Sequence, residues 1–354
     1  MSTPAIILGG TGYVAGELLR LISQHPELDI AAIMSDSQPG ELVAKAFPHL
    51  APVLGDLRFV DEAELTQLVC TLPDAAVFSA APHGVSAALI DRLLCAAEAA
   101  GTKPRVVDIS ADYRYDTADA YTAVYKHAHG APQRIRDFIC AVPEHMHELP
   151  TRHVAHPGCF ATAVLLASVP LLARGLVQPT LFVSGVTGST GSGRKPVDGT
   201  HHPTRHSDLY SYNALVHRHI PEITACAAKA SGVHADFAFV PHSGPFARGI
   251  HVTVQAALSA TDSALDSKAL QHVLHDYYAH SPFVRILATA PHIKDVVTSN
   301  YAQLSATSNG RTVAVTCVID NLTKGAAGGA IQWMNRLLNL PETTGLTQPA
   351  AGWT

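Results

Sequence analysis

The feature that most constrains this chain lies at its start. A short apolar strand, Ala5–Leu8, runs directly into Gly9-Gly10-Thr11-Gly12-Tyr13-Val14-Ala15-Gly16, and helical periodicity follows from about Val14 to Gln24. Glycines at such a turn let a phosphate approach the backbone, and the helix behind them offers N–H donors and a positive dipole end. The spacing GxxGxxA is a variant of the GxGxxG dinucleotide fingerprint, and its weight comes from its place after the first strand of a βαβ unit. The alternation continues with strands at Ile30–Met34, Ala75–Ala80 and Arg105–Ile109 and a helix over Val85–Ala100 carrying Leu89, Ile90, Leu93 and Leu94. This pattern predicts an α/β, doubly wound parallel sheet over the first part of the chain.

Gly9, Thr11, Gly12, Tyr13 and Val14 are therefore the expected cofactor-binding backbone. The second strand ends at Met34-Ser35-Asp36-Ser37. Hydroxyls such as Ser35 and Ser37 suit the 2′-phosphate of NADP, whereas Asp36 suits the ribose hydroxyl of NAD, so local chemistry leaves both cofactors open.

From about Arg152 the texture changes to β-branched runs at Thr180–Val186, Ala235–Val240, Ile250–Ala257 and Thr312–Ile319, separated by Gly- and Pro-rich connections. They predict a mixed or antiparallel sheet in a second domain. Gly325–Leu340 reads as an amphipathic helix with Ile331, Met334 and Leu338 on one side. With 47% hydrophobic and 15% charged residues, the chain has the material for a sizeable core. A formal charge of −5 gives no reason to expect nucleic acid or an anionic membrane as partner. The longest apolar run, Ala161 to Leu172, is short for a span and contains Pro170. No signal-like segment opens the chain, so a cytoplasmic protein is expected.

The six cysteines form no CxxC pair, and the 21 histidines are scattered without HExxH spacing, so neither disulfides nor a metal is expected. Five cysteines read as core fillers. Cys159 differs: in His156-Pro157-Gly158-Cys159-Phe160 a sharp turn precedes a helical run. A thiolate at a helix N-terminus is favoured by the dipole, and the same N–H groups suit a developing oxyanion. The residues alone leave a reactive thiol and a buried filler both open. In His217-Arg218-His219-Ile220-Pro221-Glu222 either histidine suits proton transfer beside a helix start, with Glu222 as an orienting carboxylate. Arg194 and Lys195, closing the Gly-rich loop from Ser184, and Arg114 and Arg248 are candidate anion binders, each with a salt-bridging alternative.

The combination resembles the N-acetyl-γ-glutamyl-phosphate reductase family, relatives of aspartate-semialdehyde dehydrogenase. The resemblance is carried nearly end to end by GGTGYVAGELLRLI from Gly9, AAPHGVS from Ala80, VDISADYR from Val107, VPE at Val142 and HPGCFATA from His156. The SGRKP loop, HRHIPEI from His217, FVPHSGPFARGI from Phe239 and IDNLTKGAAGGAIQWMN from Ile319 extend it. It implies a Rossmann-type NADP-binding domain over residues 1–155, completed by the C-terminal helix 325–340. An α+β catalytic and oligomerisation domain of the glyceraldehyde-phosphate-dehydrogenase kind would span 156–324. It also implies NADPH as donor, with Pro82 and Asn321 joining the cofactor residues, and Cys159 as nucleophile with His219, or else His217, as acid/base. An acyl-phosphate substrate bound by Arg114, Arg194, Lys195 and Arg248, and a homodimer or homotetramer, complete the expectation. The stretch Thr200–His206 departs from the family pattern, and the N-acyl group on the substrate (acetyl, succinyl or a carrier protein) stays open. An aspartate-semialdehyde dehydrogenase and a non-catalytic NADP(H) sensor are the rival readings.

Overall fold

The computed structural model describes residues 2–149, 151–259 and 265–353. The chain divides into two compact units, each described here by itself. One comprises residues 1–141, 148–156 and 326–347, the other residues 142–147, 157–325 and 348–354. The helices that bear on function are α1 (Tyr13–Ile22), α2 (Ser86–Ala100), α3 (Cys159–Ala173), α4 (Ile220–Ser231) and α5 (Gly328–Leu337).

Among the described residues the first unit is built on a six-stranded parallel sheet. Its strands are β1 (Thr3–Leu8), β2 (Leu28–Ile33), β3 (Ala76–Ser79), β4 (Arg105–Asp108), β5 (Phe138–Cys140) and β6 (His153–Ala155), in the order β2-β1-β3-β4-β6-β5. The centre of the sheet is buried: Ala5–Leu8 and Ala76–Phe78 have no exposure. A parallel strand covered on both faces reads as a continuous apolar run, which is why these segments do not alternate. The strand order reverses between β1 and β3, and in open α/β sheets ligands bind at the carboxyl ends of the strands flanking such a switch point.

The last helix differs from expectation. It begins at Gly328 after a π turn over Thr323–Ala327, and Gly328 to Asn335 are buried on all sides. Its polar face is therefore buried along with its apolar one instead of facing solvent. Its polar residues are spent internally: Trp333 Nε1 donates to Ala141 O at 3.1 Å, and Asn335 Nδ2 donates to Thr344 O at 2.9 Å. Gln332 Nε2 donates to Glu342 at 2.8 Å.

The second unit carries a seven-stranded mixed sheet among the described residues. Its strands are β7 (Val177–Thr187), β8 (Tyr210–Ser211), β9 (Asp236–Ser243), β10 (Ile250–Leu258), β11 (Val284–Ile286), β12 (Ala302–Ser308) and β13 (Thr312–Ile319). The order is β11-β12-β13-β10-β7-β9-β8; β7–β9 and β11–β12 run parallel and the other pairs antiparallel. Helix α3 packs on β7, β10, β13 and α4. Every residue from Phe160 to Leu172 is buried, so the long apolar run is a core helix with Pro170 in its last turn. No helix among the described residues is long and apolar enough to cross a membrane.

The segment Val142–His147 belongs with the second unit, not with the first as the sequence suggested. The reason is local bonding. Glu144 and Lys324 form a fully buried ion pair, and His145 Nε2 meets Tyr278 Oη at 2.9 Å, whose hydroxyl donates to Leu166 O.

Three histidines are held neutral by burial, each down to about 4: His145, His153 and His217. As pH falls from about 6.5 towards 4 the unfolded chain takes up these protons before the folded one, so stability present above 6.5 is lost, on the order of 3 kcal/mol per site at most. Asp108, raised to about 6 by burial and then by Asp112, works in the opposite sense, one group against three. The melting temperature is expected to be level between pH 7 and 8 and to drop steadily below 6.5. The slope should be shallower in His153→Asn, measured by calorimetry across that range.

Candidate active site

The Gly9–Gly12 turn sits at the sheet's switch point. Gly9 has φ +75°, and a Cβ there would meet Ala81 Cα at 2.5 Å, so only glycine lets the end of β1 lie against the end of β3. Gly12 is the N-cap of α1 with no side-chain cap, and a Cβ added to it would meet nothing within 4 Å. The Tyr13 and Val14 N–H groups have no acceptor among the described residues. An open cradle backed by unspent helix donors fits a dinucleotide pyrophosphate. Pro82 caps the opposite side, its carbonyl accepting from Val85 and Ser86 N–H at the start of α2. Ser35 and Ser37 stand with their hydroxyls 3.4 Å apart after β2.

In the second unit Cys159 is the first residue of α3, with Gly158 as N-cap. Phe160 and Ala161 N–H find no acceptor among the described residues, while Thr162 N–H already bonds Gly158 O at 2.8 Å. A thiol and two unspent N–H donors are thereby placed on one helical turn, an arrangement that suits an oxyanion. Gly158 N–H donates to Glu222 Oε1 at 2.8 Å. A Cβ on Gly158 would come within 2.5 Å of His219 Cε1 and Nε2, so the imidazole lies against the backbone just before the thiol. His219 is the N-cap of α4, and Glu222, wholly buried, is in that helix's first turn. A carboxylate there is stabilised by the dipole.

His217 has a different setting. Its ring stands 4.6 Å from that of His219 and packs against Phe160, Tyr212 and Phe239. Burial, and then the Arg218 charge, push it down to about 4, and its Nδ1 accepts from His219 N–H at 3.2 Å. Its ring thus props the backbone at His219. These groups border a cavity of ≈520 Å³ that includes Cys159, Thr187, Tyr212, His217, Arg218, His219 and Ser243. Burial, and secondarily the Cys159 charge, raise the Tyr212 phenol.

The turn after β13 lies on Cys159. A Cβ on Gly325 would meet Cys159 Cβ at 2.7 Å. Asp320, wholly buried, holds this turn by accepting from Leu322 and Thr323 N–H at 2.7 and 2.8 Å, and pairs with Arg248 through Nε at 2.9 Å and Nη2 at 3.0 Å. Arg248 is therefore a structural partner of Asp320 and is not offered to the cavity. Asn321 is also engaged: its Oδ1 accepts from Gly249 N–H at 2.8 Å and its Nδ2 donates to Thr190 Oγ1 at 3.0 Å.

Arg114 belongs to the first unit and is buried, donating to His156 O at 3.0 Å and Ile109 O at 2.8 Å. It braces the strand end ahead of Pro157. Arg194 and Lys195 are exposed, just beyond Gly191 and Ser192, which do line it. Cys95 is exposed beside Asp91 and Arg134 on the outer face of α2, so it is not a core filler; Cys140, Cys226 and Cys317 are. Tyr212, Arg218 and Ser243 are cavity residues that no motif in the sequence marks, although Arg218 stands between the two histidines of the His217–His219 segment.

A family profile described as the semialdehyde dehydrogenase NAD binding domain matches residues 4–151, and one described as the semialdehyde dehydrogenase dimerisation domain matches residues 159–321. The N-acetyl-γ-glutamyl-phosphate reductase of Pseudomonas entomophila is 38% identical over 347 residues, covering 96% of each chain. That of Methanopyrus kandleri is 38% identical over 352 residues, covering 97% of each. Among solved structures, aspartate semialdehyde dehydrogenase II from Vibrio cholerae has the same fold at 15% identity, with a TM-score of 0.68 over 96% of this chain and 98% of its own. The Candida albicans aspartate semialdehyde dehydrogenase determined with NADP aligns at 16% identity and a TM-score of 0.63, over 96% and 99%. An open dinucleotide cradle in one unit, a cysteine heading a helix beside two histidines in the other, and this similarity along nearly the whole length place the chain in the N-acetyl-γ-glutamyl-phosphate reductase family of the semialdehyde dehydrogenases.

Proposed function

We propose that this protein reduces N-acetyl-γ-glutamyl phosphate to N-acetylglutamate 5-semialdehyde with NADPH, by way of a thioester on Cys159. The observation that carries the reading is Cys159 at the head of α3, on the cavity that His219 and Arg218 border. Near-full-length identity of 38% to named reductases favours this substrate over aspartyl phosphate, whose dehydrogenases share only the fold. A pure sensor of NADP(H) would have no use for a cysteine and histidine gathered on one cavity.

In the proposed mechanism the Cys159 thiolate attacks the acyl carbon, a Cys159–carbonyl bond forms and phosphate leaves with its bonding pair. Phe160 and Ala161 N–H are the donors for the oxyanion that develops. When bound, NADPH supplies the hydride that reduces the thioester carbon. His219 delivers the proton to the resulting oxygen and takes it back as the aldehyde departs, the thiolate being regenerated. Glu222 holds the Gly158 turn so that sulfur and imidazole stay in register. Gly9, Thr11, Gly12, Tyr13, Val14 and Pro82 would hold the dinucleotide. Ser35 and Ser37, whose hydroxyls lie 3.4 Å apart after β2, would meet the 2′-phosphate. Arg194 and Lys195 would receive phosphate at the mouth of the cavity. Asn321, with both amide ends engaged, would act through the Gly249 backbone and the Thr190 hydroxyl it ties. The setting is the cytoplasm, where NADPH is available.

We also propose that the protein is a homodimer formed through the helix-free face of the second sheet. On that face Phe182 is 59% exposed and pairs laterally with Gln255 and Ala238, and the family profile over this region is described as a dimerisation domain. Phe182→Asp is expected to sediment as a monomer where the unaltered chain sediments as a dimer; two identical profiles would contradict this interface.

The test of the activity is run in the aldehyde-oxidising direction, whose substrates outlast an acyl phosphate in water, following NADP+ reduction with N-acetylglutamate semialdehyde and excess inorganic phosphate at alkaline pH. The unaltered protein is expected to turn over, and Cys159→Ser to lose about four orders of magnitude in kcat while binding NADP+ normally. Comparable turnover by both proteins would refute the thioester route, and turnover with aspartate semialdehyde alone would refute the substrate.

A further inference from the structure

We propose that Arg205 and Ser243 form an anion subsite of the Cys159 cavity, in which Arg205 orients and polarises the Ser243 hydroxyl and Ser243 donates to a carboxylate or phosphoryl oxygen of the ligand. The proposal rests on the functional reading above for the identity of the ligand, but on separate residues for the site.

Arg205 is 8% exposed, and its guanidinium donates to Ser243 Oγ and to Gly244 O. Its Nε has no hydrogen-bond partner, and among the described residues no carboxylate pairs with it. Three other cations with little exposure each face a carboxylate: Lys324 pairs with Glu144, Arg248 with Asp320, and Arg134 with Asp91 and Glu98. Burying a charge without a counter-ion is among the costliest arrangements a fold can hold, and such a site is completed by an anionic ligand. The charge is one side chain removed from the cavity, and that side chain is Ser243.

Ser243 ends β9, is 6% exposed and borders the cavity with Cys159. Its oxygen accepts from Arg205, so its own proton remains for an acceptor, and the protein supplies none among the described residues. A hydroxyl that accepts from a cation is a stronger donor than an isolated one. Thr187, paired with Ser243 across β7 and β9, brings a second hydroxyl to the same wall. Arg205 comes from the Thr200–His206 stretch, where the chain departs from its family's pattern, so the subsite bears on which acylated substrate this chain accepts.

The substrate class proposed above carries two anionic groups, a phosphoryl group and an α-carboxylate, and the test separates them. In the full-length protein, Cys159 alkylation by iodoacetamide is followed against increasing inorganic phosphate or N-acetylglutamate, for the unaltered chain, Ser243→Ala, Arg205→Gln and Arg205→Lys. Ser243→Ala and Arg205→Gln are expected to need about tenfold to a hundredfold more of one anion for half-protection, with the other anion and NADP+ affinity unchanged. Arg205→Lys, which keeps the charge, should lie between. In the aldehyde-oxidising assay the KM of the matching substrate, phosphate for the phosphoryl group or the semialdehyde for the α-carboxylate, should rise by a similar factor with little change in kcat. Selective loss towards phosphate assigns the phosphoryl group, and selective loss towards N-acetylglutamate assigns the carboxylate. If Arg205→Gln does not melt cooperatively, Ser243→Ala decides. Unchanged protection by both anions in Ser243→Ala, or no protection of the unaltered chain by either, overturns the subsite. Absence of aldehyde turnover in the unaltered chain would remove the enzymatic reading while the alkylation arm still reports on the anion.

Discussion

One hydrogen bond organises the catalytic unit: Gly158 N–H donates to the buried carboxylate of Glu222 at 2.8 Å. It ties the residue that caps α3 to the first turn of α4. Because Cys159 begins one helix and His219 caps the other, fixing the two helix starts also fixes the thiol and the imidazole relative to each other. Both helix N-termini contribute positive potential to this point, which stabilises a carboxylate permanently and a thiolate when it forms. The Gly158 position admits no side chain, since His219 occupies the place a Cβ would need.

A second constraint acts from the opposite side. The Asp320–Gly325 turn closes over Cys159, with Gly325 near enough that only a hydrogen fits between them. Asp320 anchors that turn to Arg248 on the approach to β10 and to Thr298 N–H, and Lys324 anchors it to Glu144. The base of the Cys159 side chain is therefore packed between a helix start and a braced turn, and the residue borders the cavity. In the proposed mechanism that placement matters, because displacements of about 1 Å cost orders of magnitude in rate.

The features legible in the sequence are those set by local rules. The β1–glycine turn–α1 unit, the helix headed by Cys159 and the β-rich second half follow from periodicity and from what glycine and proline permit. The arginines were less legible because their roles depend on distant partners. Arg248 is claimed by Asp320, 72 residues away, and Arg114 by a carbonyl 42 residues away. No spacing rule reports such pairs. The C-terminal helix reads as half-polar, yet Gln332 and Asn335 are buried because residues 342–344 return to satisfy them. Arg205 was similarly hidden, since its importance lies in the absence of a carboxylate rather than in any motif.

The central claim is that Cys159 captures the acyl group before reduction occurs. Mixing the protein with N-acetyl-γ-glutamyl phosphate in the absence of nicotinamide cofactor, quenching in acid and mapping peptides by mass spectrometry tests it directly. The account predicts an N-acetylglutamyl adduct on the peptide containing Cys159, released by hydroxylamine as a thioester should be. An unmodified Cys159 peptide under conditions where the complete reaction proceeds, or an adduct on another residue, would contradict it.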